Sequence, residues 1–242
     1  MLLLLLAVSL APAQEADLKA LARDALRKAA EYFRTRVASH GGYLWFYSPD
    51  LSERWGEAKA TREQVWVQPP GTPAVGLAFL RAYEATRDRF YLEAARECGE
   101  ALLFGRLKSG GWTASIDFDP KAKRSGGGRD HSSLDDDITS SVIRFLARLD
   151  QALDFKDAKV HDGARGAIDA LLKAQYPNGG FPQVWLGPVE VRPVIKASYP
   201  EGEPSKVKDY WHHYTLNDNL AGRVRPRAAS PRPSRPPEGI RA

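Results

Sequence analysis

The sequence predicts an all-α protein: an (α/α) toroid of helical hairpins, incomplete at its C-terminus, with an open helical solenoid as second choice. Two observations predict it. A glycine pair followed by an aromatic recurs as Gly41-Gly42-Tyr43, Gly110-Gly111-Trp112 and Gly179-Gly180-Phe181, at intervals of 69 positions. Equal spacing at that length marks a structural repeat. A segment of helical periodicity precedes each pair, and glycine is a normal helix stop.

The elements follow in chain order. Leu2 to Leu10 is an apolar run, and Ala11-Pro12-Ala13 offers small residues for cleavage, so residues 1–13 read as an export signal, though without a basic residue ahead of the run. The run is too short to span a bilayer. Asp17–Val37, Phe90–Leu107 and Asp162–Gln175 are the helices ahead of the three glycine pairs. Thr72–Thr86 and Thr139–Leu153 lie between them, and Val142, Phe145, Leu146, Leu149 and Leu153 form one apolar face of the latter. Each unit is therefore helix, turn, helix, glycine pair and extended loop, and such hairpins bury their faces by stacking on neighbours. Residues 14–222 form this partial toroid domain. Trp112, Tyr176, Phe181, Trp185 and Tyr199 follow the glycine pairs or lie near them. Aromatic faces suit sugar rings, and core packing explains each of them as well or better.

Composition narrows the function. Of 242 residues 43% are hydrophobic and 10% aromatic, which fits a globular chain. The net charge of +5 sits in residues 223–242, which hold six arginines against the single acid Glu238. The remainder carries 29 bases and 29 acids. The body has no basic footprint for nucleic acid. Cys98 is the only cysteine, so no intrachain disulfide forms, and its helical setting reads as a buried small side chain. The five histidines form no zinc pattern, and no P-loop, Rossmann fingerprint or nucleophile elbow occurs.

Two polar turns carry the chemistry. Asp135-Asp136-Asp137 opens the helix at Thr139, and Asn217-Asp218-Asn219 stands where a further helix begins. One carboxylate suffices to cap a helix. Three in a row repel unless they are solvated or hold a cation, so cap and site weigh about equally on this turn alone. In a toroid, equivalent helix starts share a face, so Asp135–Asp137 and Asp218 would converge across a cleft. Clustered carboxylate and amide oxygens are what Ca2+ takes.

The stretches "LDDDITSSVIRFLARLDQAL", "LLKAQYPNGGFPQVW" and "YTLNDN" resemble the pectate lyases of polysaccharide lyase family 10, with the resemblance covering roughly Thr72 to Leu220. It implies a secreted or periplasmic, calcium-dependent (α/α)-toroid enzyme that cleaves polygalacturonate, or pectin, by β-elimination. Carried over by motif, it places Asp135 and Asp218 at the calcium and substrate site, with Asp136 as a further metal ligand. Asn217, Asn219, Tyr176, Asn178, Phe181 and Gln183 become substrate-binding. Phe181 stands where tryptophan is frequent, and the loop Gly187–Asp209 is long for the family. The catalytic base of the family, an arginine, lies well downstream of the Asn-Asp-Asn turn, and no tail arginine fits it. Lys206 and Lys208 could meet substrate carboxylates, although solvated surface lysines are the plainer account.

From Arg223 the chain turns to arginine and proline, with Pro226, Pro231, Pro233, Pro236 and Pro237. Proline at that density cannot continue a helix. It reads as a disordered basic linker or, preferentially, as out-of-frame translation, in which case catalytic power would be missing from this chain. The expected protein is a monomer with no nucleic-acid partner and no membrane contact after signal removal. Competing readings are a toroid glycoside hydrolase, a terpene-cyclase-like repeat protein, which an export signal disfavours, and a non-catalytic pectin-binding module.

Overall fold

The computed structural model describes residues 11–122, 131–187, 189 and 210–214. Residues 217–219, Lys206, Lys208, Tyr199 and the tail from Arg223 lie outside them.

Among the described residues five α-helices carry the fold: α1 (Ala11–Tyr32), α2 (Thr72–Thr86), α3 (Arg89–Phe104), α4 (Ile138–Ala152) and α5 (Ala158–Lys173). All five helices expected from the sequence are present. α1 starts at Ala11 and so includes Ala11-Pro12-Ala13; it passes into a π-helical turn at Phe33–Val37. α3 ends before Gly105, whose N–H bonds back to the Ala101 and Leu102 carbonyls. α5 begins four residues earlier than periodicity suggests, because Asp157 caps it by accepting from the Val160 amide at 3.2 Å. Asp88 does the same for α3, accepting from Phe90 N–H at 2.9 Å.

The helices form two rows. α2 packs beside α4, and α3 beside α5, while α2–α3 and α4–α5 are hairpins. α1 stands in the second row, joined to α3 by Arg27–Asp88 and Arg34–Glu97 ion pairs. One core runs through both rows, with Leu80, Leu102, Trp112, Val142, Phe145, Leu146 and Leu149 enclosed. Close approach of α2 to α4 is permitted at Gly76, where a Cβ would lie 2.5 Å from the Phe145 ring.

The described residues of the segments read as extended loops hold six short strands: β1 (Phe46–Tyr47), β2 (Arg54–Trp55), β3 (Gln64–Trp66), β4 (Ser115–Asp117), β5 (Ser132–Ser133) and β6 (Val184–Trp185). They pair antiparallel as β1–β2, β3–β4 and β5–β6. β3 precedes α2 and β4 follows α3, so each ladder ties the two ends of a hairpin at one end of the stack. β5 and β6 repeat the arrangement around α4 and α5.

The glycine pairs explain themselves here. Gly41, Gly110 and Gly179 all have left-handed backbone, with φ of 80°, 95° and 83°. Each closes a tight backbone link: Ser39 with Gly42, Leu107 with Gly111, and Tyr176 with Gly180. The aromatic that follows is clamped from the next unit. Thr72 Oγ1 accepts from Tyr43 N–H at 3.0 Å and donates to its carbonyl at 3.2 Å. Thr139 does the same for Trp112 at 3.1 and 3.3 Å.

Candidate functional site

The acidic turn sits at the strand-bearing end, between β5 and α4. Ser133 Oγ accepts from the Asp135 amide at 3.1 Å and starts the turn. Asp135–Asp137 form one 3-10 turn, and Asp136 and Asp137 both hold left-handed backbone, φ 45° and 62°. Two consecutive non-glycine residues there are uncommon, and such backbone gathers at functional turns.

None of the three side chains caps α4: the capping position, Asp137, makes no side-chain bond to the helix amides. The equivalent turn before α2 is Gln68-Pro69-Pro70-Gly71, and α2 starts without a side-chain cap too. An inner helix of this fold therefore needs no carboxylate to begin. Side-chain capping of α4 therefore does not account for the three aspartates.

Each carboxylate is held by a different element. Gln183, just before β6, donates its amide Nε2 to Asp135 Oδ2 at 2.5 Å. Gln68, just after β3, donates Nε2 to Asp136 Oδ2 at 2.8 Å. Arg144, two turns into α4, pairs with Asp137 Oδ2. Asp136 is exposed, whereas Asp135 and Asp137 are half-buried. Two buried oxygens, Asp137 Oδ1 and Gln183 Oε1, find no partner among the described residues. They are oxygens of the type Ca2+ takes. Among the described residues, however, no group of three or more His, Cys, Asp or Glu side chains is placed to hold a metal ion. The reason is local: three successive side chains leave a tight turn in different directions, so a shared ion needs oxygens from another segment.

The structure places the other expected residues as follows. Tyr176 is buried, donates its hydroxyl to the His212 carbonyl, and packs its ring 4.4 Å from that of Tyr214. Asn178 is exposed and accepts from Gly180 N–H at 3.0 Å, shaping the glycine turn. Phe181 and Trp185 form a small buried cluster with Leu134 and Ala174, directly beneath the acidic turn. Trp112 is wholly enclosed and donates Nε1–H to the Leu102 carbonyl at 2.6 Å. Trp112 and Trp185 thus act by packing, and the sugar-stacking expectation does not hold for them. A separate cavity of about 410 Å³, lined by Phe104, Arg106, Thr113, Asp117 and Asp119 among others, contains none of these residues.

Gln68 and Arg144 are the site residues that sequence reading missed. A signal for Gln68 existed: "VWVQ" at 65–68 stands 67 positions before "SSLD" at 132–135, and in both the last residue opens the turn ahead of an inner helix.

Stacked helical hairpins that present a row of amides and carboxylates along one end define a repeat scaffold with a polar edge. A family likeness is given by sequence: the family model for pectic acid lyase matches residues 107–225, which include the acidic turn and the Tyr176–Gln183 segment. Over that stretch the chain is similar to the pectic acid lyase family. No curated protein matches the chain. Among solved structures it is similar to a family 10 polysaccharide lyase from Cellvibrio cellulosa, at 14% identity and a TM-score of 0.41, covering 64% of this chain and 52% of that one. It is also similar to a substituted form of such a lyase from the same organism in complex with trigalacturonic acid, at 13% identity and a TM-score of 0.42, covering 81% of this chain and 68% of that one. The chain spans about half the length of the first. Among the described residues no helix is long and apolar enough to cross a membrane.

Proposed function

We propose that residues 107–225 form the uronate-binding part of a pectate lyase, a secreted or periplasmic (α/α)-toroid enzyme that cleaves polygalacturonate by calcium-assisted β-elimination. The observation that carries this reading is the pectic acid lyase match over the stretch that holds Asp135–Asp137. The three carboxylates support it, since the fold does not need them as caps.

Asp135 and Asp136, together with Asp218, would hold the ion, the last supplying the oxygens that the turn alone lacks. Ca2+ bound to the uronate carboxylate would spread the charge that builds as the C5 proton leaves. Gln183 and Gln68 fix the carboxylates from either side, so the acceptor geometry is set before substrate arrives. Asn217 and Asn219 flank the second half of the site, and Asn178, Tyr176 and Phe181 shape the wall beside it. Loss of the C5 proton with breakage of the C4–O bond leaves an unsaturated uronate at the new non-reducing end. No residue of this chain is assigned as the base.

A second reading, binding of polygalacturonate without turnover, is favoured by one observation. Arg144, the arginine bonded to the turn, is engaged with Asp137, and a paired guanidinium keeps its proton. One assay separates the two readings. Polygalacturonate with Ca2+ is followed by ultraviolet absorbance of the unsaturated product and, in parallel, by affinity electrophoresis. Elimination supports the lyase reading; binding alone supports the second. In either case Asp135→Ala should weaken binding at least about ten-fold, or about 1.4 kcal/mol. Binding that survives both this change and chelation would refute the site.

A further inference from the structure

The glycine repeat carries a second periodic position. Two residues after the aromatic of each pair stand Trp45, Ala114 and Gln183, at intervals of 69. Backbone bonds set their segments side by side at the strand-bearing end. Trp66 N–H donates to the Tyr43 carbonyl, Val67 to Ala114, Ser133 to Trp112 and Leu134 to Gln183, each at 2.8 Å. The turn opened by Gln68 therefore lies between Trp45 and Ala114, and the acidic turn lies between Ala114 and Gln183.

Gln183 serves the acidic turn through Asp135. Trp45 is tied to it from the other side, through Gln68. Its indole Nε1–H donates to the Gln68 carbonyl at 2.9 Å, and the Gln68 side-chain amide donates to Asp136 Oδ2 at 2.8 Å. A single residue thus links the indole to the carboxylate. Trp66 completes the joint. It donates Nε1–H to Gln68 Oε1 at 3.3 Å and meets the Trp45 ring edge-on, with centroids 6.0 Å apart. The two indoles differ in what they leave open. Trp66 is buried beneath Gly56, where a Cβ would lie 2.1 Å from its ring. Trp45 is only half-buried. Between Trp45 and Gln183 the in-phase side chain is the methyl of Ala114, itself half-buried. An indole held at its N–H and at one edge cannot turn away, so its open surface is a fixed platform. The π face of that platform is negative and attracts the C–H hydrogens of a pyranose ring. Trp45 and Gln68 are uncharged, so this position selects the ring rather than its carboxylate.

We infer that Trp45, with Gln68 and Ala114, forms a further saccharide subsite beside the acidic turn, one that takes the pyranose ring of a neighbouring galacturonate residue in the same polymer. This rests on the polygalacturonate reading of Asp135 and Asp136. The small side chain of Ala114 leaves room for the polymer to run from the turn to the indole. Trp45 and Gln68 both precede residues 107–225, so the subsite extends the site beyond the matched stretch.

The test compares trigalacturonate and hexagalacturonate with Ca2+, binding to the full chain, by isothermal titration. The hexamer should bind about ten-fold more tightly than the trimer. Trp45→Leu should remove most of that gain. Trp45→Phe, which keeps a ring face and loses the N–H, should retain most of it. Ala114→Leu fills the room beside the turn and should also lower the gain, which keeps the test open should Trp45→Leu not fold. A merely structural Trp45 predicts otherwise. Trp45→Leu would then weaken both oligomers equally, and Trp45→Phe would do the same, because the bond to Gln68 is lost in each. That result, or an unchanged gain in Trp45→Leu and Ala114→Leu, would overturn the inference. Asp135→Ala keeps the two claims apart. If it weakens both oligomers while the gain survives Trp45→Leu, the subsite fails and the polygalacturonate reading stands. If the unsubstituted chain binds neither oligomer, both fail.

Discussion

At the scale of single residues, amide groups govern the acidic turn. A carboxylate that accepts from a fixed amide keeps one oxygen occupied and presents the other, and Gln183 and Gln68 impose this on Asp135 and Asp136 from opposite neighbours. Gln183 is itself buried, so its replacement tests orientation apart from charge. Gln183→Leu removes the donor while retaining bulk. The expected outcome is a loss of polygalacturonate affinity of about ten-fold. The change in unfolding free energy should stay within about 1.5–3 kcal/mol, the range for a hydrogen bond to a charged group. Equilibrium denaturation in urea and affinity electrophoresis on the same preparation check both. Cys98 is settled at this scale as well: it is fully buried, burial pushes its thiol far above the ordinary range, and it acts as a small core side chain.

At the scale of elements, the inner helices are set by how closely they can meet. Glycine inside a helix ordinarily costs about 1 kcal/mol relative to alanine. At Gly76 the sign reverses, because an added methyl meets the Phe145 ring at 2.5 Å. Gly76→Ala should destabilise by about 1–3 kcal/mol, the cost of overpacking, read as a lower urea midpoint at unchanged slope. All five helices were legible from apolar periodicity, whereas glycine stops one of them, α3 at Gly105; α2, α4 and α5 end at Arg87, Leu153 and Ala174. The strands were not: two- and three-residue ladders such as β5–β6 leave no alternation to detect, and the partners of β3 and β5 lie about fifty positions away. The start of α5 was misjudged because its cap, Asp157, precedes the first apolar residue of the helix.

At the scale of the whole molecule, the stack is held between units by caps that do double duty. The Arg96 guanidinium holds the Asp157 carboxyl below the usual carboxylate range, and the Phe90 amide, with Arg27, does so for Asp88. Both shifts are downward. The clasps therefore contribute fully above the unfolded carboxylate value of about 3.9 and are lost as pH falls through the lower folded values. Melting temperature should drop on acidification below about pH 4, and Asp157→Asn should be less stable at neutral pH with a flatter acid limb. The repeat itself was legible because the glycine pairs recur at equal intervals, but the equality concealed a shift. Thr72 and Thr139 differ by 67 positions, whereas Asp88 and Asp157 differ by 69. The second unit is two residues shorter ahead of its inner helix and two longer in its interhelical turn, where Asp154 and Phe155 both adopt left-handed backbone. Half of the proposed site was equally legible, in Asp135–Asp137 and Gln183. Gln68 was not, because it belongs to a unit whose turn has proline in place of aspartate. That compensated shift says where the chain tolerates changes of length. The interhelical turn and the loop before each inner helix differ in length by two residues between the two units, so these are the places where the fold accommodates a change of length. The run from an acidic cap through its helix and glycine pair to the next strand keeps a fixed count, and a single insertion in it would throw every later clasp out of step.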